Sequence, residues 1–111
     1  MSLSPEDQKL VTLARSSIAR TRSSRGAAVR DLDGRTYVAS SVSLPSLEIG
    51  ALELAVAMAV SSGTAGLEAG AVVSSHEGAI VDLSTVREVA GPDVPVYIAD
   101  EAGNVVAVRA S

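Results

Sequence analysis

Between Leu47 and Val60 the only charged residues are Glu48 and Glu53, and every other position except Gly50 is apolar. Ser46 can cap the free N–H groups at the start of such a stretch and Gly63 can close it, which predicts a helix from Leu47 to about Ser62. A helix apolar on nearly all sides is buried on nearly all sides. A sheet can cover one side of it. The other side is then expected to meet a second copy of the chain, in a homodimer or homotetramer formed through residues Leu47 to Ser62. The length of 111 residues predicts a single domain over residues 1–111.

The rest of the core must be aliphatic. Hydrophobic residues make up 47% of the chain, yet the only aromatics are Tyr37 and Tyr97. Packing therefore falls to Ala, Val, Leu and Ile. The scarcity of aromatics also argues against single-strand nucleic-acid binding, which uses aromatic stacking platforms. Residues 1–35 carry a balance of +3 through Lys9, Arg15, Arg20, Arg22, Arg25, Arg30 and Arg35, whereas residues 36–111 carry −7. The net charge of −4 does not fit a dedicated nucleic-acid binder. No apolar run reaches membrane-spanning length. The first residues lack the basic and apolar regions of a secretion signal, so a cytoplasmic protein is expected.

Local signals give the element order. Ser4-Pro5-Glu6-Asp7 opens a helix: a capping hydroxyl, a proline at the first position, and acids that complement the dipole. Leu10, Leu13, Ala14 and Ile18 continue it at helical spacing to about Arg20–Arg22. Gly26–Asp31 and Arg35–Val42 read as strands joined at Asp33-Gly34, where both positions tolerate positive φ. Ser43-Leu44-Pro45-Ser46 reads as a loop before the apolar helix. A short strand at Ala71–Val73 follows it, then a helix from Asp82 or Ser84 to Ala90 stopped by Gly91-Pro92. Strands at Val94–Ala99 and Val105–Arg109 flank a turn at Glu101–Asn104. The order α-β-β-α-β-α-β-β predicts a three-layer α-β-α fold: a mixed five-stranded sheet with helices on both faces.

With no cysteine, there is no disulfide, no thiolate nucleophile and no cysteine zinc site. His76 is the one histidine, so any Ser-His-Asp arrangement has one possible base. His76 and Glu77 are weak ligand-site candidates, with Glu53 and Asp82 the acids that could join them. Ser23-Ser24-Arg25-Gly26 could cradle an anion, which makes Arg25 a further weak candidate. Glu48 and Glu53 are expected to neutralise arginines of a neighbouring subunit, with Arg25 and Arg30 as partners.

The segments Gly26-Ala27-Ala28-Val29, Asp33-Gly34-Arg35, Gly50-Ala51-Leu52-Glu53-Leu54-Ala55 through Ala59-Val60-Ser61-Ser62-Gly63, and Gly91-Pro92-Asp93-Val94-Pro95-Val96-Tyr97 stand in an order and spacing that resembles the cytidine deaminase family. The resemblance runs over roughly residues 8 to 100 and implies the cytidine deaminase-like fold. In that family a zinc ion activates water, and a glutamate two residues after the first zinc ligand moves the protons. Carried over, the first ligand position falls on Gly50, the glutamate on Leu52, and the other two ligands on Ile80 and Leu83. The family's ribose-holding Asn-x-Glu falls on Ser41-Val42-Ser43, and its pyrimidine-packing phenylalanine falls near Ser23.

Gly50, Leu52, Ile80 and Leu83 cannot bind zinc or move a proton. Placing glutamate at the catalytic position by shifting Glu53 one residue would turn the side chain by about 100°, away from the pocket. The resemblance thus implies an inactive family member with no zinc and no catalytic residue. Leu52, Ile80 and Leu83 are expected to fill the old pocket as core. The expected role is an oligomeric scaffold or a module for a protein partner. The alternatives are a nucleoside- or nucleotide-binding module without chemistry, and an active hydrolase with a non-standard site.

Overall fold

The computed structural model of the chain describes residues 3–76 and 80–111. Helix α1 (Pro5–Thr21) starts as its sequence predicts, with the Asp7 N–H donating to Ser4 Oγ at 3.1 Å. It ends at Arg22, whose left-handed backbone (φ 58°) lets its N–H reach the Ile18 carbonyl. Strands β1 (Arg25–Asp31) and β2 (Thr36–Ser40) pair antiparallel. At their turn Gly34 takes a positive φ of 84° and Asp33 does not. The anchor is Asp31, which is 1% exposed. Its carboxylate accepts the N–H groups of Asp33 and Arg35 and the Tyr37 hydroxyl. Burial pushes this carboxyl up. The bonds from Arg35, Tyr37 and Asp33, with the Arg35 charge, outweigh burial and hold it below the usual carboxylate range.

The next segment departs from the sequence reading. Val42–Leu44 (β3) and Leu47–Ile49 (β4) form a small hairpin of their own, pairing Val42 with Ile49 and Leu44 with Leu47. Helix α2 therefore runs from Ala51 to Ser61, capped by Gly50 in an extended conformation, rather than from Leu47 behind a Ser46 cap. Pro45-Ser46 is a hairpin turn, and the β-branched Val42 and Ile49 suit the paired strands.

Strand β5 (Leu67–Ser74) is longer than predicted. Helix α3 (Ser84–Ala90), β6 (Pro95–Ala99) and β7 (Val105–Ala110) follow close to the expected positions. The main sheet is five-stranded and mixed, ordered β2-β1-β5-β6-β7, with only β5 and β6 parallel. A parallel pair needs a crossover, which the segment containing α3 supplies.

Two cores flank the sheet. Helix α1 lays Leu10, Val11 and Ala14 on Ala28, Ala69, Ala71, Val73 and Ala99. Contact is close because the sheet face is built of small residues. At Gly26 a Cβ would stand 2.3 Å from the Ala14 carbonyl oxygen, so only glycine fits beneath the helix. On the other face α2 and α3 pack Leu52, Ala55, Val56 and Val86 on Val29, Val72, Val96 and Ile98. This gives the α-β-α layering that the sequence predicts.

Helix α2 is not covered all round within one chain. Ala51, Leu52, Ala55, Val56 and Ala59 are buried, while Ala57, Met58 and Val60 are exposed.

Candidate functional site

Strands β2, β5 and β6 all run the same way, because β1 is antiparallel to both β2 and β5, and β5 is parallel to β6. The N-termini of α2 and α3 therefore follow strands that end on one edge of the sheet. Gly50 caps α2 there with its own backbone. The Glu53 carboxylate folds back over it: a Cβ on Gly50 would meet Glu53 Oε1 at 2.7 Å. Leu52 is 2% exposed and belongs to the core beneath α2, and Leu83 packs against that same core. Burying such a leucine contributes about 1.5–3 kcal/mol.

Ile80 does not join them. It is 83% exposed, and its carbonyl accepts a hydrogen bond from Arg25 Nη1 at 3.2 Å. Of the three apolar side chains expected to become core, Leu52 is buried and Leu83 packs against the core, whereas Ile80 is on the surface. Preceding α3, Asp82 uses its carboxylate to accept the Ser84 N–H at 2.9 Å. The bonds from Ser84 hold its pKa below the usual carboxylate range. Asp82 thus closes a local turn just before the Leu83 that caps α3, and its recorded bond is to Ser84 rather than to His76.

Other predicted residues sit nearby. Ser23 Oγ donates to the Ser41 carbonyl at 3.1 Å, tying the start of β1 to the end of β2. Ser43 is exposed on the small hairpin, opposite Glu48. Arg25, spent on the Ile80 carbonyl, stays beside the chain's own loop. Glu77 lies outside the described residues. Arg30, expected to meet a neighbour's acid, finds its acids within the chain on the α1 face, while its buried Nη1 has no hydrogen-bond partner among the described residues. Its guanidinium pairs with Asp7 (Nη2 to Oδ1, 2.8 Å) and with Glu68. Burial lowers the affinity of Arg30 for its proton, and the bonds and charges of Glu68 and Asp7 more than reverse this.

One concavity among the described residues has no counterpart in the sequence analysis. A cleft of about 590 Å³ opens where β5 and β6 end, lined by Ser74, His76, Ile98, Asp100, Ala107 and Arg109 among others. Its size suits a small molecule. The carboxyl ends of parallel strands are where α/β sheets place ligands. His76 Nδ1 lies 3.3 Å from Ser75 Oγ, which in turn donates to the Ser24 carbonyl. Among the described residues no three His, Cys, Asp or Glu side chains converge as they would around a cation. Gly50, Leu52, Ile80 and Leu83 offer no sulfur, imidazole or carboxylate, so this donor set does not fit zinc.

The fold matches solved cytidine deaminases. The enzyme from Burkholderia pseudomallei superposes with a TM-score of 0.72 at 22% identity, covering 93% of this chain and 89% of that one. The enzyme from Mycobacterium leprae gives 0.67 at 19% identity, covering 92% and 90%. A point mutant of the Mycobacterium tuberculosis enzyme gives 0.65 at 26% identity, covering 79% and 81%. A search of curated proteins returned no match. The family model described as "Cytidine deaminase-like" matches residues 3–103, and the chain belongs to that family.

Proposed function

We propose that this chain is a non-catalytic, zinc-free member of the cytidine deaminase-like family, a single domain that works through its surface as a homo-oligomer or as a module for a protein partner. The observation that carries the reading is Leu52. It occupies the position that the family's motif gives to the proton-moving glutamate, and it is 2% exposed in the core under α2. A carboxylate placed there would enter an apolar cluster with no partner, which is strongly unfavourable. Gly50 and Leu83, at the neighbouring ligand positions, likewise give a cation nothing to bind.

The surface half of the reading rests on α2. Leu54 is half-buried, Ala57, Met58 and Val60 are exposed, and the adjacent hairpin exposes Leu44 and Leu47. A shallow depression between Tyr37, Leu54, Ala57 and Met58 adds relief to this face. Exposed apolar side chains gathered on one helix are the raw material of interaction sites. No described helix is long and apolar enough to cross a membrane, and the reading places the protein in the cytoplasm.

Two measurements test it. Cytidine incubated with the protein should keep its ultraviolet absorbance at the rate of buffer alone; enzyme-dependent loss would overturn the catalytic half. Light scattering after gel filtration should give a mass above one chain. A monomer at micromolar concentration, with no protein partner retained, would overturn the surface half.

A further inference from the structure

We propose that the cleft running from the carboxyl ends of β5 and β6 along β7 to Arg109, beside the amino end of β6, binds a small organic anion, holding its charged group at Arg109 and its apolar body on Ile98, Ala107 and Val106. This site is separate from the family's metal positions, since Gly50, Leu52, Ile80 and Leu83 do not line it. The proposal is independent of whether the chain oligomerises.

The cleft is polarised along its length. Arg109 is paired across the sheet with Val96, and Ala107 with Ile98, so Arg109 and Ala107 share one face of β7. A register shift between Ile98 and Ala99 leaves Val106 out of the regular pairing, 67% exposed and at the cleft. Bulges of this kind re-aim side chains beside functional sites. Arg109 is exposed, and among the described residues the ion pairs are those of Arg30, not of Arg109.

The acids that line the cleft lie at its other end. Asp100 stands four residues beyond Val96, the cross-strand partner of Arg109, about 13 Å along the strand between backbones, and it forms no ion pair with Arg109 among the described residues. Its Oδ1 already accepts the N–H groups of Ala102 and Asn104. The bond from Asn104 first, against a burial penalty, holds the carboxyl below its ordinary range. Glu101 lends its carbonyl to Arg15 at 2.9 Å. The guanidinium of Arg109 is therefore left to an incoming anion, which it can take in a two-pronged bond. At the far end His76 adds an imidazole whose Nδ1 faces Ser75.

Phenyl phosphate carries both features, while inorganic phosphate and phenol carry one each. Titrating each into the isotope-labelled protein and following the amide signals tests the assignment. Phenyl phosphate should shift Ile98, Ala107 and Arg109 and bind at least about tenfold tighter than either half. Arg109→Gln, at an exposed position, should remove that advantage and leave the fold's spectrum intact. The proposal is overturned if phenyl phosphate binds no tighter than phenol, if its shifts map elsewhere, or if Arg109→Gln binds it as well as the parent chain.

Discussion

The Tyr97 hydroxyl donates to Asp7 Oδ2 at 2.6 Å, joining residues ninety positions apart. The same carboxylate accepts Arg30 Nη2 through its other oxygen. Asp7 thus does two jobs. It lies in the first turn of α1, where a negative charge is favoured, and it clamps that turn to β1 and β6. Burial raises its pKa, but the bonds from Tyr97, Arg30 and Ser4 with the Arg30 charge outweigh burial and leave it below the usual value.

A carboxyl lowered on folding stabilises the native state above its unfolded pKa of about 3.9, and that contribution is lost as pH falls through the lower folded value. Asp7→Asn should therefore be less stable than the parent chain at neutral pH in urea titrations, with the gap closing below about pH 4. A gap that persists unchanged into acid would place the effect elsewhere. Tyr97→Phe removes one bond to the same carboxylate and should cost about 1–2 kcal/mol at neutral pH.

Gly26 lies directly under α1, with the Ala14 carbonyl 2.3 Å from where a Cβ would sit. Backbone cannot swing aside as a side chain can. Gly26→Ala should lose about 2–3 kcal/mol in denaturant titration. Gly63→Ala is the contrast: there φ is 87° but nothing lies within 4 Å, so the loss should be backbone strain alone, about 1 kcal/mol.

Leu52 and Ile80 both stand at positions where the family's motif has catalytic or metal-binding groups, but only Leu52 is buried. Leu52→Ala should cost about 2–5 kcal/mol, whereas Ile80→Ala should stay within about 0.5 kcal/mol of the parent. Equal losses would contradict the different placement of the two side chains.

Met58 is exposed on the apolar face of α2. Met58→Glu puts a charge on the proposed contact without touching the core. It should lower the mass seen by light scattering toward one chain while leaving the circular dichroism spectrum unchanged. An unchanged oligomer would move the contact off α2.

Features carried by neighbouring residues were legible in the sequence. The Ser4 cap and Pro5 start α1, Gly91 stops α3, and the element order fixed the family resemblance. The β3–β4 hairpin was not legible, because Ser46-Leu47-Glu48 fits a capped helix start as well as a turn and strand. What decides between them is the pairing of Val42 with Ile49, a contact made only once the chain folds back. The arginines illustrate the same limit. The partners of Arg30 come from α1 and β5, far away in sequence. The cleft is assembled from the ends of three strands and has no local motif at all. Ile80 looks like core by composition, yet it lies on the surface.

The central claim is that the family's metal chemistry is absent from this chain. Elemental analysis for zinc, on protein purified without chelator or affinity tag, tests it most directly. The account predicts less than about a tenth of an equivalent, since glycine, leucine and isoleucine provide no zinc ligand. Close to one equivalent, retained through gel filtration, would contradict it.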